Sequence, residues 1–521
     1  MGQLHLIRLM SLQRQRDLRR RRRQDQAPSN HGMVASRAKR KGSPCQQDGD
    51  YQGEEVNMYL GPSLPEDIWQ HIHSLMPMRD AARVALVSRA FVPSWRCHPN
   101  LTFSKETLGL NENACRKDGS PSNFSSIVDH ILTKHSSIGL KTLKFQIPSD
   151  FSAKDYCYID SWLQTALTPG IKELTLILHP LKSKYNFPYS LLSNGSGDSI
   201  RYLHLVRCSF CPTATLSCLR SLTRLYLCNV RVTGDELGCL FSRSLALERL
   251  EIRYCDGIVR LKVPCILQRL SYLEVLGGER LEAIDNEAPN LSSFLFEGDN
   301  AVKLSLGETL QLKRVKFQRS GSVFYARTEL PSRMPNLEAL FLRSDRERVT
   351  PMLCSKFLHL RHLSIALNGV TFPPTYDYLS LANFLDAAPY LETFHLDVWH
   401  QRMKHVSIFA EPSDLRQLQE HRHHNLKNVR IKNFCCAKSL VELTCHVVES
   451  AMSLECLTLE ASQSALRCSD RDNKSGKCWP MDRDILVEAH RAISAIRRFI
   501  EPRVPSTVKL QVLEPCICHA V

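Results

Sequence analysis

Residues 222–230 and 247–255 read LTRLYLCNV and LERLEIRYC, two copies of one pattern with Leu or Ile at its first, fourth and sixth places. A single LxxLxL carries little information, because apolar triplets arise by chance in any globular chain. Here the unit recurs. With any aliphatic residue or Phe allowed at the marked places, it starts at 140, 171, 200, 222, 247, 270, 291, 312, 337, 360, 391, 426 and 454. The intervals are 31, 29, 22, 25, 23, 21, 21, 25, 23, 31, 35 and 28 residues, most of them at or near the roughly 20–29 of leucine-rich repeats. One such short strand cannot bury its own leucines, whereas stacked neighbours supply the missing surface. The expected fold class is α/β, with the repeats forming a solenoid.

Side chains alternate along a strand, so the residues between the leucines point the other way and should line a concave face. Tyr226, Arg249, Glu251, Arg253, His362, His395 and Asp397 are the candidates for binding a target there. Their mixed signs and aromatic content suit a protein partner, although each alone reads equally well as a solvated position. Just past the strand, a small or polar residue is expected where the chain turns out: Cys208, Cys255, Gly278, Asp299, Ser320, Asp345 and Asn368 fit, while Val230, Trp399 and Phe434 do not. Cys208 and Cys211 form a CxxC, but with no second pair at metal spacing Cys208 reads as a repeat residue. HRHHN (421–425) has no carboxylate or cysteine at a ligand spacing and reads as a surface loop.

The formal charge of the 521 residues is +15, and residues 1–50 carry twelve Lys/Arg against four Asp/Glu, so +8 sits there and +7 is spread over the other 471. A nucleic-acid-binding body is not expected from so weak an excess. Residues 1–57 read as a disordered basic tail whose clusters RRRRR (19–23) and RAKRK (37–41) are spaced like a bipartite nuclear-import signal. A solvated charge run explains them equally well. No run of eighteen apolar residues occurs, so no membrane span is expected. Neither a secretory signal nor myristoylation is expected: no small-residue cleavage site follows LHLIRLMSL, and Leu6 stands where the second needs Ser or Thr. An Arg-rich transit peptide is a minor alternative. Twenty cysteines in a chain not expected to be secreted suggest reduced thiols.

Ahead of the repeats, SLPEDIWQHIHSLMP (63–77) predicts one helix, with Ser63 and Glu66 as a capping box and Pro77 as its stop. Ile68, Ile72, Leu75 and Met76 share a face. Asp80 is expected to cap a second helix whose Ala81, Val84, Ala85 and Val87 form an apolar face, and Ser88 to begin a third, RAFVPSWR. FSSIVDHIL (124–132) predicts a helix before the first repeat. A helix after a loop at 467–478, with Ile485, Leu486, Ala489, Ile493, Ile496 and Ile500 on one side, and then alternating Val508, Leu510 and Val512, predict a helix–strand cap.

SLPEDIWQHIHSLMPMRDAARVALVSRAFVPSW resembles an F-box: Leu64, Pro65, Glu66, Asp67, Ile68, Ile72, Leu75, Pro77, Arg79, Asp80, Ala81, Val87, Ser88, Arg89 and Trp95 stand at its marked positions. It departs at Phe91, where Trp is frequent, and at Pro93. HNLKNVRIKNFCCAKSLVELTCHVVESAMSLECLTLE (424–460) is similar to the FBD-type region of plant F-box/leucine-rich-repeat proteins, and VPSTVKLQVLEPC to the C-termini of its grass members. The resemblance implies a three-helix F-box at 60–104, leucine-rich repeats at 120–420, and an FBD-like region with the last repeats and the cap at 421–521. It further implies a substrate-recognition subunit of an SCF-type cullin-RING ubiquitin ligase, non-catalytic and without cofactor, in the nucleus and/or cytoplasm. Leu64, Pro65, Ile68, Ile72, Leu75, Met76, Val84 and Val87 would bind a Skp-type adaptor, and through it cullin and RING subunits. The repeats would hold an unknown protein target; a small-molecule co-ligand is left open. The alternative is a leucine-rich nuclear scaffold or nucleic-acid-associated protein using the basic tail. No phosphate-cradling Gly loop, nucleophile elbow or HExxH occurs to name an enzyme.

Overall fold

The computed structural model describes residues 65–515 except 111–122, 181–183, 194, 214–217, 300, 308–309, 369–375, 400–404, 411–413, 419–421 and 462–482. The basic tail, Ser63, Leu64 and the 467–478 loop lie outside the described residues. The helical module and the repeats all belong to one compact unit.

All thirteen LxxLxL units become strands of one parallel sheet of fifteen, in sequence order from Asn100–Phe103 to Lys509–Leu513. Register is kept from strand to strand, for instance Leu225 beside Leu250 beside Leu273. The first apolar residue of every unit, from Leu140 through Leu247 to Leu454, is buried, as are the two that follow it. These three ladders build a continuous core, which no single repeat could form. The backbone repeats as regularly. Glu248 O accepts from Ser271 N (2.9 Å) and Tyr272 N (3.2 Å), Ser271 O from Ser292 N (2.9 Å) and Ser293 N (3.0 Å), and so on along the chain.

The interval between units decides how the chain returns. The 21–23-residue intervals after 247, 270 and 291 return through the short strands Arg260–Val263, Ala283–Asn286 and Lys303–Ser305, which pair as a second parallel sheet. Among the described residues, every α-helix lying between two repeat units sits in an interval of 25 or more. A strand advances about 3.3 Å per residue and a helix about 1.5 Å, so a helical return over the same span needs more residues.

The helices are α1 (Glu66–Leu75), α2 (Met78–Val87), α3 (Val92–Arg96), α4 (Asn123–Lys134), α5 (Tyr156–Ala166), α6 (Gly234–Phe241), α7 (Ser322–Arg333), α8 (Ala382–Asp386), α9 (Lys438–Ser450) and α10 (Arg483–Ala495). α6 opens with a capping box that the repeat pattern did not reveal: Thr233 Oγ1 accepts from Glu236 N (3.2 Å) and Glu236 Oε2 from Thr233 N (2.7 Å). At the far end α10 buries Ala489 and Ile493, the π-helical turn Ile496–Ile500 that continues it buries Ile496 and Ile500, and Lys509–Leu513 adds the last strand, so the helix–strand cap is present.

Several local expectations are corrected. α1 has Pro65 at its N-cap and no side-chain cap, because the helix starts one residue after the proline. α2 is preceded by Pro77, which leaves Asp80 inside the first turn rather than at the cap. Ser88 ends α2 in extended conformation, and a 3-10 turn at Arg89–Phe91 leads into α3. Pro93 sits in the first turn of α3, where its missing N–H costs nothing. Val87 is 81 % exposed and does not join Ala81 and Ala85 in the interior.

The turn position is also reread. The residue just after the strand takes the left-handed conformation at Arg207, Asn229, Tyr254, Gly277 and Asn433. The next residue therefore swings back inward, and Cys208, Val230, Cys255 and Phe434 are buried. Val230 and Phe434 are thus the rule in these repeats rather than exceptions to it.

Candidate functional site

Two surfaces stand out, one on the helical module and one on the sheet. At about 100° per residue, Ile68, Ile72 and Leu75 fall within roughly 60° of one another on α1, and Trp69 and His73 lie roughly 100° further round, while Met76, expected on the first face, follows the helix in extended conformation. The second group faces inward. Trp69, His73 and Phe91 form an aromatic cluster with centroid separations of 4.7–6.3 Å, and His73 is fully buried. Burial lowers the His73 pKa, with His98 adding to the effect. Phe91, where the F-box pattern often has Trp, is used to hold α1 in place.

The apolar stripe therefore points to solvent. Ile68 is 41 %, Ile72 37 % and Leu75 73 % exposed; Pro65 is exposed, and Met76 and Val84 are half-buried. Leu86, 87 % exposed beside Val87, extends the stripe and was not singled out in the sequence. The module is fixed to the sheet by its other side. His98 Nε2–H donates to Met76 O (3.2 Å), Met78, the first residue of α2, is buried with its Sδ accepting from Thr102 N (3.3 Å), and the strand Asn100–Phe103 continues directly from the module into the sheet. That strand was not expected, since NLTF lacks the repeat unit, yet Leu101 and Phe103 are fully buried.

On the sheet, the residues between the leucines occupy the face away from the core, in rows set by the parallel register. Tyr226, Glu251 and Glu274 are neighbours in one row, and Arg224, Arg249 and Tyr272 in the next. Glu251 sits between Arg249 (2.6 Å) and Arg253 (3.0 Å), and Arg253 also pairs with Glu274 (2.6 Å). The arginines lie over rings: Arg224 on Tyr202 at 4.7 Å, Arg253 on Tyr226 at 4.9 Å and Arg249 on Tyr272 at 3.6 Å. Tyr272 donates its hydroxyl to Glu274 (2.5 Å), whose residue is only 3 % exposed. His204 packs edge-on against Tyr226 at 4.3 Å, and burial, reinforced by Lys144, pushes it down to about 4, so it is neutral at physiological pH. Burial also pushes the Tyr226 hydroxyl up to about 12. A depression lined by Tyr202, Arg224, Tyr226, Arg249 and Glu251 opens here.

His362, His395 and Asp397 form a separate patch five strands away, about 24 Å along the sheet at roughly 4.8 Å per strand. His395 lines a second depression with Thr393, Arg430 and Thr458. Its pKa is lowered by burial and then by Arg430, Lys432 and His362. Asp397 accepts from Asn433 Nδ2 (2.7 Å), and Arg430 pairs with Glu460 (3.3 Å). Between the patches the same face carries half-buried Leu295 and Phe341, 43 % exposed.

The sequence-picked residues thus fall into two groups rather than one. Tyr202, His204, Arg224, Tyr272, Glu274 and Arg430 were missed, although they hold the same places within IRYLHL, LTRLYL, LSYLEV and LKNVRI that selected Tyr226 and Arg249. Reading every unit in register would have found them. Cys208 is fully buried and its thiol is pushed up to about 12 by burial, with Cys211 exposed beside it. His423, expected on a surface loop, is instead 4 % exposed, because its backbone is pinned to the end of α9. Among the described residues, no helix is long and apolar enough to cross a membrane.

Comparison with known proteins agrees with this architecture. The family model described as At1g61320/AtMIF1, LRR domain, matches residues 131–517. The Arabidopsis thaliana FBD-associated F-box protein At1g61330 is 24 % identical over 440 residues, covering 80 % of this chain and 94 % of its own. The F-box/LRR-repeat protein At3g26922 of the same plant is 22 % identical over 61 % of this chain and 92 % of its own, and the F-box/FBD/LRR-repeat protein At1g13570 is 23 % identical over 68 % and 77 %. F-box and repeat together denote adaptor-type proteins. The chain belongs to the At1g61320/AtMIF1 leucine-rich-repeat family and is a plant F-box/leucine-rich-repeat protein of FBD type.

Proposed function

We propose that this protein is the substrate-recognition subunit of an SCF-type cullin-RING ubiquitin ligase. The outward stripe of α1 docks a Skp-type adaptor, through it the cullin and RING subunits, and the sheet face holds the protein to be ubiquitinated. The observation that carries this reading is the orientation of α1: Ile68, Ile72 and Leu75 are turned to solvent while Trp69 and His73 do the internal packing. An exposed apolar stripe on an otherwise well-packed module marks a protein contact. The chain would contribute proximity rather than chemistry, holding a target lysine near the ubiquitin-charged conjugating enzyme. The patches around Glu251 and His395, with Leu295 and Phe341 between them, offer charge, aromatic surface and apolar area, the mixture found in protein interfaces. The reduced thiols, fourteen of them free among the described residues, suit a nuclear or cytoplasmic setting.

Co-purification with a recombinant Skp-type adaptor tests the docking. The wild-type chain is expected to retain the adaptor and Ile68→Asp to lose it, because the charge would have to be desolvated in the interface. Equal retention by Ile68→Asp would overturn the assignment of that stripe.

A further inference from the structure

Away from both surfaces, three successive repeats each send one potential metal-binding side chain to the same place. Asp386 closes α8 in the interval after 360, His423 follows in the interval after 391, and His446 lies in α9 in the interval after 426. His423 N donates to Ser450 O (2.9 Å) and Met452 N to His423 O (3.0 Å), which fixes the His423 backbone against the end of α9. His423 Nε2 lies 3.3 Å from Asp386 Oδ1, and one donor atom from each of the three residues is within 4.8 Å of the other two. Asp386 Oδ1, His423 Nε2 and His446 Nε2 are each shielded from solvent.

Two imidazoles and a carboxylate suit a borderline divalent transition ion. With metal–ligand bonds of about 2.0–2.2 Å, donors around a tetrahedral zinc ion stand roughly 3.3 Å apart. The Asp386–His423 separation already has that value, and the His446 donor, within 4.8 Å of both, has to close by up to about 1.5 Å to reach it. We infer that Asp386, His423 and His446 form a zinc-type divalent metal site, with water in the fourth position, that staples three consecutive turns of the solenoid.

One neighbouring charge opposes a cation. The buried Arg327 guanidinium interacts electrostatically with Asp386, and its pKa is lowered by burial. Its hydrogen bonds are directed elsewhere, to the carbonyl oxygens of Asn383 (3.2 Å), Ser355 (3.0 Å) and Leu353. Asp386 is therefore not the guanidinium's hydrogen-bonded partner. Sequence spacing hid the site, because the ligands lie 37 and 23 residues apart and converge only when repeats stack.

The test uses the full chain, stripped with a chelator and titrated with Co²⁺ as a spectroscopic probe, then with Zn²⁺ in competition. The expected result is one equivalent of Co²⁺ with visible d–d bands and no thiolate charge-transfer band, displaced by Zn²⁺, and a higher melting temperature with Zn²⁺. Asp386→Asn and His446→Asn should each weaken binding by at least about 100-fold and abolish the Zn²⁺-dependent melting shift, while both remain folded by circular dichroism. A thiolate band, undiminished binding in both variants, or no binding to the wild-type chain would overturn the site.

Discussion

Ile68, Ile72 and Leu75 on α1 and Leu225, Leu250 and Leu273 in the sheet are residues of the same kind in equally regular patterns, and they end in opposite environments. The sheet leucines are at most 1 % exposed, whereas the α1 residues are 37–73 % exposed. The difference comes from what each stripe finds on the next element. Every sheet leucine meets an equivalent on the neighbouring turn, so burial propagates along the register. Among the described residues, α1 packs on α3 and the 3-10 turn, and Trp69 and His73 already occupy that contact. Apolar periodicity therefore predicts a face to be covered, and the neighbouring elements decide whether the chain or a partner covers it.

This contrast can be broken by mutation. Leu250→Ala should cost about 3 kcal/mol of stability in urea unfolding, since it leaves a cavity in a closed ladder. A loss below about 1 kcal/mol would show that the ladder is not packed as described. Leu75→Asp should weaken adaptor binding by about 100-fold, or roughly 2.7 kcal/mol, and leave the urea midpoint nearly unchanged. A variant that unfolds instead would place Leu75 in the interior. On the sheet face, Arg253→Ala removes the cation paired with buried Glu274 at 2.6 Å and leaves only the more distant Arg249 acting on it, and a loss of roughly 1 kcal/mol is expected because Arg253 is partly exposed. Adding Glu274→Gln should recover most of that loss; no recovery would show that the pair is not the cause.

A further effect is one of pH. His405 meets Glu488 (3.2 Å) with Cys436 and buried Cys435 alongside, and despite burial the hydrogen bonds to Cys436 and Glu488 raise it to about 9. Its folded pKa lies above its unfolded one, so its contribution is fully present below about 6.5 and is lost as pH rises through about 9. Glu488 is depressed to about 2, so its contribution is present above its unfolded value and lost as pH falls toward 2. His405→Gln should therefore lower the melting temperature at pH 6 and have little effect at pH 10. An equal effect at both would remove the ion pair as its source.

The sheet was legible because each turn repeats the same three inward positions, which makes a long-range pattern readable locally. All thirteen units are strands, and the alternation at Leu510 and Val512 announced the last one. What escaped depends on three-dimensional neighbours. NLTF carries too few residues to show a period, and Cys208 turns inward because Arg207 adopts a left-handed conformation. Trp69, rather than Ile68, packs inside because Phe91 approaches from the 3-10 turn. His423 is drawn inward by α9. The stripe of Ile68, Ile72 and Leu75 was readable as a stripe, but which of its helix neighbours turn inward was not.

Hydrogen–deuterium exchange of the full chain, with and without a Skp-type adaptor, tests the central claim most directly. Protection is expected across Glu66–Leu75 and the adjoining residues of α2, with the sheet strands unchanged. Protection confined to the sheet, or none at α1 under saturating adaptor, would contradict the assignment of α1 as the docking element.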